Sequence, residues 1–107
     1  IRLEQVFINL LQNSLDALID VEDGKIEVRL HEKLEDKSIL ITFDDNGPGL
    51  PTAMRTTLFE PFVTGKKHGL GLGLGIAQNI VREFGGELEV TESALGGAAF
   101  CVTLPQL

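Results

Sequence analysis

Apolar positions recur at helical spacing along residues 3–20, where Leu3, Phe7, Leu10, Leu11, Leu15 and Leu18 make one face. Gln5, Asn9, Gln12, Asn13, Asp16 and Asp20 fall on a second, narrow polar stripe of the same predicted helix. Asp23-Gly24 marks a turn, and the period then changes to two. Residues 25–34 alternate, with Ile26, Val28, Leu30 and Leu34 on one side; after the polar turn Glu35-Asp36-Lys37, residues 38–45 set Ile39, Ile41 and Phe43 on one face. This pattern predicts a hairpin with one buried face. Helical spacing returns over 73–84 through Leu74, Ile76, Ala77, Ile80, Val81 and Phe84, and Gly85-Gly86 stops it. Strands follow at 87–92 and 98–104, joined by a turn at Gly96-Gly97. Residues 46–72 keep neither period and hold three of the four prolines; so long a loop in so small a domain is usually functional. Helix, two strands, long loop, helix, two strands predicts an α/β (α+β) two-layer sandwich, a mixed, mostly antiparallel sheet with helices on one face.

Composition narrows the picture. A chain of 107 residues is one domain, residues 1–107, with enough apolar content (43%) for a core. The net charge of −7 argues against nucleic acid or an anionic membrane as partner. Cys101 stands alone, so no internal disulfide forms and a reducing compartment is expected; its place in an alternating run predicts a core position. No apolar run approaches the length of a membrane span. Ile1 opens directly into a helical pattern without Met, which suggests a piece of a longer protein.

The candidate chemistry begins at Gly69-Leu70-Gly71-Leu72-Gly73-Leu74-Gly75. Each helical glycine costs about 1 kcal/mol relative to alanine, and glycine packs nothing in a strand. Four glycines running into a helix bring bare backbone N–H groups to an anion, at the end of the helix where the macrodipole favours one. In an acidic chain, an acidic nucleotide calls for a bridging cation. Asn9, Asn13 and Asp16 share one helix face at i, i+4 and i+7, and an amide oxygen suits a magnesium that keeps waters and phosphate oxygens. Alone this is a solvated polar face, but neither Lys nor Arg appears between Leu3 and Gly24, where a free surface would favour better helix formers. Asp44-Asp45-Asn46-Gly47-Pro48-Gly49 ends a strand. That is turn chemistry, and it is also an acceptor for an exocyclic amine beside glycines that admit a flat base. Phe59 and Phe62 would anchor the long loop, and Thr64, Lys66, Lys67 and His68 offer donors just before the glycines. A P-loop fails, with Glu60 at its first glycine and Lys67 at its Ser/Thr position; a dinucleotide fingerprint fails at Leu74. His31 falls on a strand's polar face, and no Ser-His-Asp or metal-thiolate arrangement is evident.

Taken in order, these segments resemble the ATP-binding domain of sensor histidine kinases, whose Bergerat fold is shared with gyrase, the Hsp90 chaperones and MutL. Asn9-Leu10-Leu11-Gln12-Asn13-Ser14 is similar to the asparagine box, Asp45-Asn46-Gly47-Pro48-Gly49 to the first glycine box, Phe59-Glu60-Pro61-Phe62 to the phenylalanine box, Gly69 through Leu74 to the second glycine box, and Gly96-Gly97-Ala98-Ala99-Phe100 to the third. The resemblance covers nearly the whole chain. It implies ATP and Mg2+ as ligands, Asn9 and Asn13 as the catalytic pair, and Asn13 on the metal. Asp45 would bond the adenine amine, Gly47 and Gly49 would shape the base pocket, and Asp16 would lie at the nucleotide. Lys66 and the loop to Gly69 would form a short lid, Gly71 and Gly73 would meet the phosphates, and Phe59, Phe62, Thr64, Gly69, Leu70, Leu72 and Leu74 would complete the nucleotide-binding set.

In the hydrolysing members of this fold a Glu sits four residues before the magnesium-binding Asn. Here Asn9 stands there, and an amide cannot accept a proton. The resemblance therefore implies a protein-histidine kinase with little turnover on its own; the alternatives are an ATP-hydrolysing relative or a degenerate nucleotide-binding scaffold. Ala98 and Ala99 replace the Thr often found in the third box, so one base contact is missing. Asp16 replaces a common Lys or Arg, as in the nitrogen- and dicarboxylate-sensing branch. The implied partners are the protein's own helical dimerisation and phosphoacceptor domain, dimeric in the full-length protein, and a response regulator. Neither nucleic acid nor direct membrane contact is expected, and the domain would be the cytoplasmic part of a membrane-anchored sensor.

Overall fold

The computed structural model describes residues 2–50 and 73–106. Phe59, Phe62, Thr64, Lys66, Gly69, Leu70, Gly71 and Leu72 lie outside them. Helix α1 is Arg2–Ala17 and helix α2 is Gly73–Glu83; the strands are β1 (Ile26–Lys33), β2 (Ser38–Asp45), β3 (Glu87–Glu92) and β4 (Ala98–Pro105). The helical pattern to residue 20 outlasts α1 itself. Past Ala17 the chain tightens into three-residue turns, Leu18 N to Leu15 O at 3.1 Å and Val21 N to Leu18 O at 3.0 Å. At the other helix end, Gly85 takes a φ of 82°. Gly86 N then reaches Val81 O and Gly85 N reaches Arg82 O, both at 3.0 Å, the bond pair that satisfies a helix's last carbonyls.

The strands form one sheet in the order β1-β2-β4-β3, with every described pair antiparallel. Register explains the core. Phe43 faces Phe100, Ile41 faces Val102, and Leu88 and Val90 face Val102 and Phe100. Alternation therefore turns these side chains to one side of the sheet. There they meet Val6 and Leu10 of α1 and Leu74, Ala77, Ile80 and Val81 of α2. The Phe7 and Phe43 rings lie 5.9 Å apart, tilted by 32°.

Four expectations change. Val28 (51% exposed) and Leu30 (67%) do alternate, but β1 is an edge strand that carries them beyond the cover of the helices, and Leu34 lies exposed in the turn that follows, so only part of the hairpin's apolar face is buried. On α1 the fully buried stripe runs through Val6, Leu10 and Ser14, while Leu11 and Leu15 are exposed; the apolar arc is wider than the contact it makes. On α2, Ile76 and Phe84 are exposed. Cys101 pairs with Thr42 and Glu89, which places it on the outer face of the sheet, half-buried and apart from the core. Burial first, then the carboxylates of Asp44 and Glu89, push its thiol above the ordinary value of 9.0.

Candidate functional site

Asp45 is the last residue of β2, on the helix side of the sheet, and is 1% exposed. Its Oδ1 accepts from Gly47 N at 2.9 Å and from Ala98 N at 3.2 Å, and its backbone O accepts from Gly97 N at 3.0 Å. Its Oδ2 is buried and has no hydrogen-bond partner among the described residues. A buried carboxylate oxygen left unpaired costs about 1–3 kcal/mol or more. Two backbone donors thus fix the roll of this carboxyl and leave one oxygen for something the described residues do not supply.

Two glycines make that geometry possible. A Cβ on Gly47 would lie 3.0 Å from Ala17 O and 3.2 Å from Ala17 Cβ, so the bare backbone lets the post-β2 segment press against the end of α1. A Cβ on Gly97 would strike Asp45 Oδ1 and come within 2.6 Å of Gly47 N. Gly49, with φ 75°, lies opposite Gly97. Asn46 ties the same corner to the α1–β1 connection: its Oδ1 accepts from Lys25 N at 2.7 Å and its Nδ2 donates to Asp23 O at 3.0 Å. Between the post-β2 segment and the β3–β4 turn lies a cleft of about 200 Å³, lined by Pro48, Gly49, Leu50, Ser93, Gly96 and Gly97 among others.

From α1, Asn13 is 6% exposed, and its Oδ1 is buried with no partner among the described residues. Asn13 is therefore not part of a free solvated face, whereas Gln5, Gln12 and Asp20 of the same stripe are exposed. Ser14 Oγ, fully buried beside it, is likewise without a partner. Asn9 lies half-buried one turn earlier. Asp16 accepts from Gln12 Nε2 at 2.9 Å on the exposed flank. Gly73 opens α2, and Leu74 is buried in the core beneath it. Two elements distant in sequence thus bring orphaned oxygens into the interior: the Asn13 amide and Ser14 hydroxyl from α1, and the Asp45 carboxylate from β2. Gly97, placed by its sequence in the third glycine box but given no role there, belongs to the site. The sign was there, in a Gly-Gly pair before a strand, but only the register of β4 against β2 reveals which atom it must clear.

A family model described as "Histidine kinase-, DNA gyrase B-, and HSP90-like ATPase" matches residues 1–107. The chain belongs to this family. C4-dicarboxylate transport sensor protein DctB of Rhizobium meliloti (strain 1021) is 53% identical over 104 residues, which is 97% of this chain and 16% of DctB. Sensory histidine kinase/phosphatase NtrB of Vibrio alginolyticus is 36% identical over 114 residues, 99% of this chain and 32% of NtrB. The nucleotide-free catalytic domain of histidine kinase ThkA superposes with a TM-score of 0.85 at 31% identity, covering 98% of this chain and 66% of that one. The chain spans less than a third of the length of these two curated relatives. The expected resemblance to the histidine kinase ATP-binding domain, with relatives in the dicarboxylate- and nitrogen-sensing branch, is borne out, as is the α/β sandwich. No described helix is long and apolar enough to cross a membrane.

Proposed function

We propose that this chain is the single ATP-binding catalytic domain of a sensor histidine kinase, holding ATP with Mg2+ and presenting the γ-phosphate to a histidine on a separate helical dimerisation domain. The observation that carries the reading is Asp45, a buried carboxylate with Oδ1 saturated and Oδ2 orphaned. An ionised carboxylate only accepts, so its missing partner is a donor, and the exocyclic amine of adenine is such a donor. Gly47 and Gly49 keep the adjoining wall free of side chains, which suits a flat base.

The second orphan fits the metal. Asn13 Oδ1 is a hard, neutral oxygen, and magnesium takes few protein ligands because it keeps waters and substrate phosphates. Among the described residues no cluster of three or more His, Cys, Asp or Glu competes for a cation. When bound, Mg2+ neutralises phosphate charge and helps orient the transferred group. Asn9, one turn away, has no basic atom, so the proton of the attacking nucleophile goes to a group elsewhere. Asn9 thereby favours histidine transfer over hydrolysis. Asp16 borders the nucleotide, and Gly69, Leu70, Gly71, Leu72, Gly73 and Leu74 lead to the N-terminus of α2, where backbone N–H groups favour phosphate. Thr64 and Lys66, as donors, and Phe59 and Phe62, as loop anchors, are what the family resemblance implies; all four lie outside the described residues. Catalysis by this domain is then positioning and charge stabilisation. Its partners are its own dimerisation domain and a response regulator, on the cytoplasmic side where ATP is found.

The test is transfer. Mixed with the separately produced dimerisation domain of its own full-length protein and Mg-ATP, the chain is expected to yield an acid-labile, base-stable phosphoryl group on that domain, and to release little phosphate alone. Brisk phosphate release by the chain alone, with no transfer, would assign it to the hydrolysing relatives instead.

A further inference from the structure

We infer that Ser93 and Asp44 form a positioning latch that sets how Asp45 meets the base of a bound nucleotide. The inference rests on the reading of Asp45 as the base-contacting residue. Asp44 and Asp45 are consecutive at the end of β2, so their side chains leave on opposite faces of the sheet. Asp45 faces the helices; Asp44 faces away and is still buried. Its cover is the β3–β4 turn. Ser93 Oγ donates to Asp44 Oδ2 at 2.6 Å and accepts from Leu95 N at 3.0 Å. A hydroxyl that gives its one proton to a carboxylate and takes a backbone N–H is held from both sides.

The backbone of Ser93 closes the same turn. Its N–H donates to Gly97 O at 2.8 Å, and its carbonyl accepts from Gly96 N at 3.0 Å. The turn so closed delivers Gly97 N to Asp45 O and Ala98 N to Asp45 Oδ1. The chain of bonds therefore runs from Asp44 through Ser93 and Gly97 to Asp45, the neighbour of the residue where it began. It fixes which oxygen of Asp45 is engaged by the protein and which is left for a ligand. Ser93 and Gly97 also line the cleft beside Gly49. A latch that acted only on stability would leave base selectivity alone; a latch that sets the roll of Asp45 must alter it.

The measurement is the affinity of the 107-residue chain for Mg-ADP and for Mg-inosine diphosphate, which carries a carbonyl where adenine carries its amine. Wild type is expected to prefer ADP. Ser93→Ala should cut that preference about tenfold, through ADP far more than through inosine diphosphate. Ser93→Thr, which keeps the hydroxyl, should restore it. If Ser93→Ala does not fold, the double variant Asp44→Ala, Ser93→Ala leaves neither group unpaired and should show the same loss. A wild-type preference in Ser93→Ala or the double variant, or equal weakening of both nucleotides, overturns the latch and leaves the base reading standing. A wild-type chain with no preference overturns both.

Discussion

Asp45 carries three bonds to backbone N–H groups from two separate segments, and every one depends on a neighbour without a side chain or on a backbone atom held in place. Gly97 is the most exacting of these. Gly97→Ala would set a methyl group against Asp45 Oδ1, the Asp45 carbonyl and Gly47 N. We expect the substitution to cost about 2–4 kcal/mol of stability, read as the urea midpoint, and to weaken nucleotide binding in whatever folds. A midpoint like that of wild type would show that the turn has room to move. Cys101 makes a second residue-scale prediction. Its thiol is raised by burial and by Asp44 and Glu89, so the folded chain holds the proton at a pH where the unfolded chain releases it. That stability is fully present below pH 9.0, the ordinary thiol value, and is lost as pH rises above it. The loss in urea midpoint between pH 8 and 10.5 should shrink in Cys101→Ala; an unchanged slope would remove the thiol as its cause. Asp45 and Asn13 could be picked from sequence because their chemistry is local. Gly97 could be read as a motif glycine but not given its role, since the atom it clears lies 52 positions away and only strand register joins them.

At the scale of elements, hydrophobic period located all six described helices and strands, and it located them well because the apolar faces of α2, β2 and β4 are the faces that pack. It misjudged how much of each face would be covered. Val28 and Leu30 alternate as cleanly as Ile41 and Phe43, yet β1 is an edge strand and β2 an inner one. Strand order decides burial here, and strand order is not a local property. The same holds for Cys101, where alternation correctly predicts a strand and says nothing of which face is the core. The distinction can be measured. Leu30→Thr should change stability by less than about 0.5 kcal/mol, whereas Leu88→Ala, at a fully buried position, should cost about 2–5 kcal/mol. Equal costs would mean that β1 is covered after all.

For the molecule as a whole, the design is a sheet that brings the end of β2 and the β3–β4 turn to one edge of the helix layer, with α1 laying Asn13 along the same region. Asn13 Oδ1 and Asp45 Oδ2 find no partner among the described residues, and a bound nucleotide with its cation would give both one. An acidic chain of net charge −7 gains most from that cation. The central claim is that Asp45 Oδ2 receives the adenine amine. Asp45→Asn tests it most directly, because the amide can keep its oxygen on Gly47 N and Ala98 N while putting an NH2 group where the free acceptor was. Isothermal titration of Mg-ADP into the wild-type chain and into Asp45→Asn, with matching circular dichroism spectra, should show affinity falling about tenfold or more. Equal affinity in the two proteins would contradict the account.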